Sequence, residues 1–148
     1  MITTTNSFEI LSRFEQTKLF LDSVRSAADA HRVELGFLPA SVYEEFARND
    51  CLYILVERTT TGNQYAGHLL FSQRYPSARI VQMFTDSQYR RQQLATRLIT
   101  YFRNELTSAG FTSIYASVAE DLKDANAFWQ RQQFHIQDIK KGGVARNR

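Results

Sequence analysis

The spacing of apolar positions changes period along the chain, and each change marks a predicted element. "FEIL", Phe8 to Leu11, is short and apolar enough to be a first strand. From about Phe14 to Leu35 the recurrence is helical: Phe14, Lys18, Leu21, Val24, Ala28 and His31 lie three or four residues apart and share one face. Gly36 supplies a stop, with Pro39 just beyond it. "SVYEEFAR" opens with Ser41 and carries Glu44 three residues on, a capping box that predicts a short second helix. Then come strand-length runs. "CLYILVER" (Cys51–Arg58) and "QYAGHLLFS" (Gln64–Ser72) flank the turn residues Gly62 and Asn63 and predict a hairpin. "RIVQMFT" (Arg79–Thr85) predicts a third strand of that meander. Helical spacing returns at Leu94, Leu98, Tyr101, Phe102 and Leu106, ending at Gly110. "FTSIYASV" (Phe111–Val118) predicts a strand, Asp121 to about Gln132 a helix with Ala125, Phe128 and Trp129 inward, and "FHIQDI" a last strand.

This order predicts an α/β domain whose first part is antiparallel. A strand–helix–strand crossover then favours parallel pairing of Arg79–Thr85 with Phe111–Val118. Residues 1–139 read as one domain, without repeat, low-complexity tract or linker. Residues 140–148, "KKGGVARNR", with four positive charges and no acid, read as a mobile basic tail.

Composition adds bounds. At 148 residues, 43% hydrophobic and 22% charged, the chain is long enough to bury a sizeable core. No apolar run approaches the ~20 residues that span a bilayer, and "MITTTNSFEI" does not read as a signal peptide. Cys51 is the only cysteine, which fits a reducing compartment and a cytoplasmic location. His31 and His135 have no metal-ligand spacing with acids or cysteine, so no metal is expected.

Charge sharpens the picture. Residues 1–78 carry seven Lys/Arg and nine Asp/Glu, a balance of −2; residues 79–148 carry eleven and six, a balance of +5. Arginine outnumbers lysine fourteen to four, and its planar fork suits phosphate. The second half contains "QYRRQQLATRLI", Gln88 to Ile99, where two arginines stand at the mouth of a predicted helix. The helix dipole disfavours positive charge there. A solvated basic surface is the commoner meaning of such a cluster. The sharper one is an anion held by the free N–H groups of the first turn.

The element order, together with Tyr89–Arg90 and the small Ala95 in "YRRQQLA", resembles the GNAT superfamily of acetyl-CoA-dependent N-acetyltransferases. Its motif, R/Q-x-x-G-x-G/A, lies between the fourth strand and the third helix, and the likeness runs from about Phe8 to Ile139. The resemblance implies a mixed, mostly antiparallel central sheet with helices on both faces and splayed, parallel fourth and fifth strands. It implies that the backbone of Met83, Phe84 and Thr85 bonds the pantetheine arm of acetyl-CoA. The segment Arg90, Arg91, Gln92, Gln93, Leu94, Ala95 and Thr96 would hold the pyrophosphate, and Asn126 and Trp129 would complete the cofactor site. The sequence departs from the family at three places. Gln93 replaces the motif's central glycine, and in "AFWQRQQF" Trp129 and Gln133 replace a tyrosine and a glycine. That tyrosine often protonates the departing thiolate, which an indole N–H cannot do.

The chemistry implied is direct attack by a primary amine on the thioester, with a small-molecule or protein amine as acceptor. Glu120 and Tyr115 are the candidates for base and proton donor. His68 alternates with Ala66 and Leu70 and reads as a hydrogen-bonded core histidine more readily than as a base. The family usually has a seventh strand, roughly where this chain stops. "FHIQDI" is therefore expected to be an open edge, filled by self-association or by a missing C-terminal segment. Two other classes stay open: a catalytically weak or inactive acyl-CoA-binding module with a regulatory role, and, with less support, a nucleic-acid-associated domain using the basic half. A membrane partner is not expected.

Overall fold

The structure is a computed structural model and describes residues 7–89, 93–118, 122–134, 141–142 and 146–147. The chain forms two units, Met1–Tyr115 and Ala116–Arg148.

The first unit is built on strands in the order in which they occur. β1 (Ser7–Leu11), β2 (Leu52–Thr59), β3 (Gly62–Arg74) and β4 (Ser77–Thr85) pair antiparallel, each with the next. β5 (Ser113–Ala116) lies beside β4 and parallel to it, giving the expected mixed sheet with flanking helices. The strands form because their alternation buries both faces. Tyr53 and Phe71 look one way, while Leu52, Ile54, Val56 and Leu70 look the other, into a core with Val24, Ala28, Tyr43 and Ala47.

Two bulges break the ladder. Leu55 pairs with Gly67 but Val56 with Tyr65, leaving Ala66 as an extra residue in β3. Leu70 pairs with Gln82 but Phe71 with Ile80, leaving Val81 as an extra residue in β4. A bulge bends its strand and increases local twist. The Thr112 N–H bonds the Pro76 carbonyl at 2.8 Å, so β5 starts level with the start of β4. With four residues against nine, it accompanies β4 only as far as the bulge.

The helical stretch predicted from Phe14 to Leu35 is segmented. It comprises α1 (Phe14–Thr17), a 3-10 turn (Lys18–Phe20), α2 (Leu21–Ala30) and α3 (Arg32–Leu35). The breaks fall where Phe20 and His31 leave helical dihedrals, at φ −115° and −124°. The period survives because α1 and α2 turn the same stripe inward: Thr17, then Val24 and Ala28. Gly36 closes α3 at φ +79°, a left-handed conformation glycine adopts without strain.

The capping box at Ser41 does not form. α4 (Ala40–Arg48) begins two residues earlier than a Ser41 cap would place it, with Pro39, whose ring fixes φ at −61°, at the N-cap. Ser41 is already inside the first turn, and Glu44 reaches forward to Arg48 at 2.7 Å.

The helix after β4 starts later than the sequence suggests: a 3-10 turn, Ser87–Tyr89, comes first, and α5 (Leu94–Ser108) buries Leu94, Leu98, Ile99, Phe102 and Leu106.

The second unit contains α6 (Lys123–Arg131), with none of its residues fully buried. Lys141–Gly142 (β6) and Arg146–Asn147 (β7) pair as a two-stranded ribbon where the sequence suggests an unstructured tail. Most of "FHIQDI" (135–139) lies outside the described residues, and with it the expected open edge. No helix among the described residues is long and apolar enough to cross a membrane.

Candidate functional site

β4 and the turn after it carry most of the predicted site. The Asp86 N–H bonds the Ala66 carbonyl at 2.8 Å, continuing the β3–β4 ladder. Antiparallel alternation then makes Phe84–His68 and Gln82–Leu70 the bonded pairs. Met83 and Thr85 consequently direct their N–H and C=O groups away from β3, on the side where β5 has already ended. β3 approaches closely here: a Cβ on Gly67 would collide with the Phe84 carbonyl. The Phe84 side chain is buried against the His31 ring, with centroids 4.7 Å apart.

The turn is held at several points. Asp86 accepts from the Gln88 N–H at 3.2 Å through its side chain and from the Tyr89 N–H at 2.9 Å through its carbonyl. Tyr89 is buried, packs edge-on against Phe8 at 5.7 Å, and donates its hydroxyl to Glu57 Oε1 at 3.1 Å. Burial, aided by the Glu57 carboxylate, pushes its phenol up to about 12. Arg90, Arg91 and Gln92 lie outside the described residues.

Gln93 comes next among the described residues, at φ +58°, ψ 25°, and the Arg97 N–H bonds its carbonyl at 3.1 Å. This left-handed conformation is the one a glycine in the resembled motif would take without strain. The Gln93 side chain is exposed and the Leu94 side chain buried, while Ala95 and Thr96 are partly covered in the first turn.

Tyr115 ends the first unit on β5 with 40% of its surface exposed. Glu120 lies outside the described residues. In the second unit, Asn126 turns its side-chain amide back to the Leu122 carbonyl at 2.8 Å. Trp129 packs edge-on between Phe128 and Phe134, at 5.2 and 4.9 Å. Just beyond, Gln133 is left-handed at φ +67°, and the Phe134 N–H returns to the Trp129 carbonyl at 3.0 Å. Both glutamines that replace family glycines therefore keep a glycine conformation.

One cluster was not foreseen from the sequence. His68 is fully buried, with Nδ1 2.7 Å from the Tyr65 hydroxyl and Nε2 3.1 Å from Gln82 Oε1. The Gln82 amide donates onward to the Tyr43 hydroxyl at 3.1 Å and the Leu35 carbonyl at 3.4 Å. With the amide in that orientation, the donors run one way: Tyr65 to His68 to Gln82 to Tyr43 and Leu35. Burial pulls the imidazole down to about 4, against a smaller opposing effect of the Gln82 bond. His68 is thus a neutral core histidine and not an exposed base. The signal available in the sequence was the polar Gln82 inside an otherwise apolar strand.

Cys51 is buried and its thiol pushed up to about 11 by burial, with Asp50 adding to it, so it is no nucleophile. Among the described residues no group of three or more His, Cys, Asp or Glu side chains could hold a metal ion.

Known structures share this fold. The NatC complex bound to Gag peptide and CoA contains a chain similar to this one, with a TM-score of 0.80 at 15% identity, covering 97% of this chain and 94% of that one. The ribosomal-protein-S18-alanine N-acetyltransferase from Escherichia coli gives 0.71 at 16% identity, covering 97% and 89%. The aminoglycoside acetyltransferase meta-AAC0020 from an uncultured soil metagenomic sample, in complex with sisomicin, gives 0.63 at 17% identity, covering 94% and 95%. None of the curated proteins matches the sequence. The sequence model of the acetyltransferase (GNAT) family matches residues 17–134, and the chain belongs to that family.

Proposed function

We propose that this protein transfers an acetyl group from acetyl-CoA to a primary amine by direct attack of the amine on the thioester. The observation that carries the reading is the backbone path from β4 into α5. Met83 and Thr85 present strand groups on the side where β5 has ended, and the chain then turns through Ser87–Tyr89 to a glycine-like Gln93 at the head of α5. The residues fit the co-substrate. Met83–Thr85 would bond the pantetheine arm as an added strand would. The N–H groups from Arg91 to Thr96 would take the pyrophosphate. Arg90 and Arg91 add the charge that a helix mouth without acids leaves room for.

Acetyl-CoA supplies the activated acyl group and a thiolate leaving group. The chain's part is to orient the amine, take up its proton and return one to the thiolate. Glu120 is the proposed base and Tyr115 the proposed donor, since the Trp129 indole N–H can donate a hydrogen bond but is too weak an acid to protonate the thiolate. The acceptor is a protein or small-molecule amine, as the names of the similar proteins suggest, and the reaction is assigned to the cytoplasm. Trp129 at the family's tyrosine position favours a second reading, an acyl-CoA-binding module with weak chemistry.

Calorimetry with acetyl-CoA and CoA tests the first reading. Expected is binding that weakens with salt and on changing Arg90 and Arg91 to Ala. Unchanged melting at millimolar acetyl-CoA would sink it. Binding without thiol release on any amine of a broad panel would select the second reading.

A further inference from the structure

The buried relay on the α4 side of the sheet has no role in the chemistry above, yet all its members converge on one place. Gln82 pairs with Leu70 directly beside the β4 bulge at Val81, and it immediately precedes Met83. Its amide reaches across 47 residues of sequence to the Leu35 carbonyl. That carbonyl belongs to the last turn of α3, where helical carbonyls lack intrahelical partners. The same amide holds the Tyr43 hydroxyl of α4. Gln82 thus ties both ends of the connection between α3 and α4 to the strand whose next residues face the proposed pantetheine arm. His68 and Tyr65 hold the glutamine from behind and set its orientation.

Leucine or phenylalanine would fill this volume with nothing polar to satisfy. Polar partners add direction: a satisfied network permits one relative placement of its members and penalises the others. The segment so placed runs from His31, packed on Phe84 just before α3, to Phe37, which is 63% exposed after the left-handed Gly36.

We infer that Gln82 is a positioning residue that pins the α3–α4 connection over β4 and thereby sets the approach of the acceptor amine to the thioester, with His68 as its support. This rests on the acetyltransferase reading, so its test keeps the two apart. The variants are Gln82→Met and the double variant His68→Leu/Gln82→Met. The single variant leaves the His68 Nε2–H buried without a partner and is expected to melt lower. The double variant replaces both partners of that bond by apolar groups and is expected to recover part of that loss, the Tyr65 hydroxyl losing its acceptor in exchange.

Each is compared with wild type in acetyl-CoA affinity by calorimetry, in acceptor KM and kcat by thiol release, and in amide hydrogen exchange over residues 31–39. The acceptor is whichever of an alanine-starting peptide and an aminoglycoside the wild type acetylates faster. Expected in both variants are an acceptor KM raised about tenfold and exchange at 31–39 raised by a similar factor. Acetyl-CoA affinity should stay within about twofold of wild type. A double variant with wild-type acceptor KM and wild-type exchange at 31–39 would overturn the inference while leaving the acetyltransferase reading intact. A wild type that binds no acetyl-CoA would overturn that reading instead, and exchange at 31–39 would still judge whether Gln82 pins the segment.

Discussion

The two faces of the sheet are built from the same alternating strands and do different work. On the α5 face, Tyr53, Phe71 and Phe102 form a triangle of rings at 4.6 to 6.0 Å, with Leu98 and Ile99 fully buried nearby in sequence on the helix. The contacts within that triangle are ring against ring and need no particular hydrogen bond. On the α4 face, an apolar cluster of similar make-up surrounds His68, Gln82 and Tyr43, whose polar atoms must meet one another. Apolar packing is non-directional and scales with area, so the α5 face supplies stability. The relay contributes less net energy, because each bond replaces one to water, but it fixes where the helices lie over β4.

The comparison breaks most visibly at Phe102. Phe102→Ala removes a fully buried ring packed at a tilt on Phe71 and should cost about 3–5 kcal/mol in urea unfolding. A loss below about 1 kcal/mol would mean that this face is not the main source of stability.

Acid acts on the other face. The His68 imidazole falls from an ordinary 6.5 to about 4 in the folded protein. Below 6.5 the unfolded chain takes up a proton that the folded chain refuses until about 4. The stability contributed is therefore complete above 6.5 and is lost as pH falls through that window. The loss is on the order of 3 kcal/mol. Unfolding measured from pH 7.5 to 4 should show this slope in wild type and lack it in His68→Leu; equal slopes would remove His68 as the cause.

Tyr65→Phe takes away the donor to His68 Nδ1 and should cost about 1 kcal/mol. Tyr53, on the α5 face, offers a matched substitution. Its phenol, also pushed up by burial, joins no relay among the described residues, and Tyr53→Phe should cost less than Tyr65→Phe in the same denaturant series. The reverse order would show that the relay does not distinguish the faces.

The smallest effect belongs to a residue on neither face. Gln93→Gly relieves a left-handed conformation but adds freedom to the unfolded chain, so the two terms should nearly cancel, to within about 1 kcal/mol. A thermal melt that moved as far as that of Phe102→Ala would mean that the Gln93 side chain packs in a way its exposure does not suggest.

Much of the fold was legible in the sequence. The strand-length runs read at Cys51–Arg58 and Arg79–Thr85, which form Leu52–Thr59 and Ser77–Thr85, and the crossover through α5 follow from apolar runs and helical spacing, which need only neighbours along the chain. The resemblance at "YRRQQLA" pointed to the turn before α5, and the misplaced glutamines at 93 and 133 marked two of the positions that turn out left-handed. The boundaries were less legible. Ser41 and Glu44 have the letters of a capping box, but Pro39 starts the helix earlier and Glu44 finds Arg48 instead.

The order of the strands and helices of the first unit and the family could be read from the chain alone, because periodicity and short motifs are local properties. The relay could not. His68 and Gln82 meet because the β3–β4 register, shifted by one bulge, sets them on the same face across 14 residues, and Leu35 reaches Gln82 because α3 folds back over β4 across 47. Register and bulges are settled by packing between strands that the chain brings together only on folding, and a shift of one residue would have turned Gln82 to the other face.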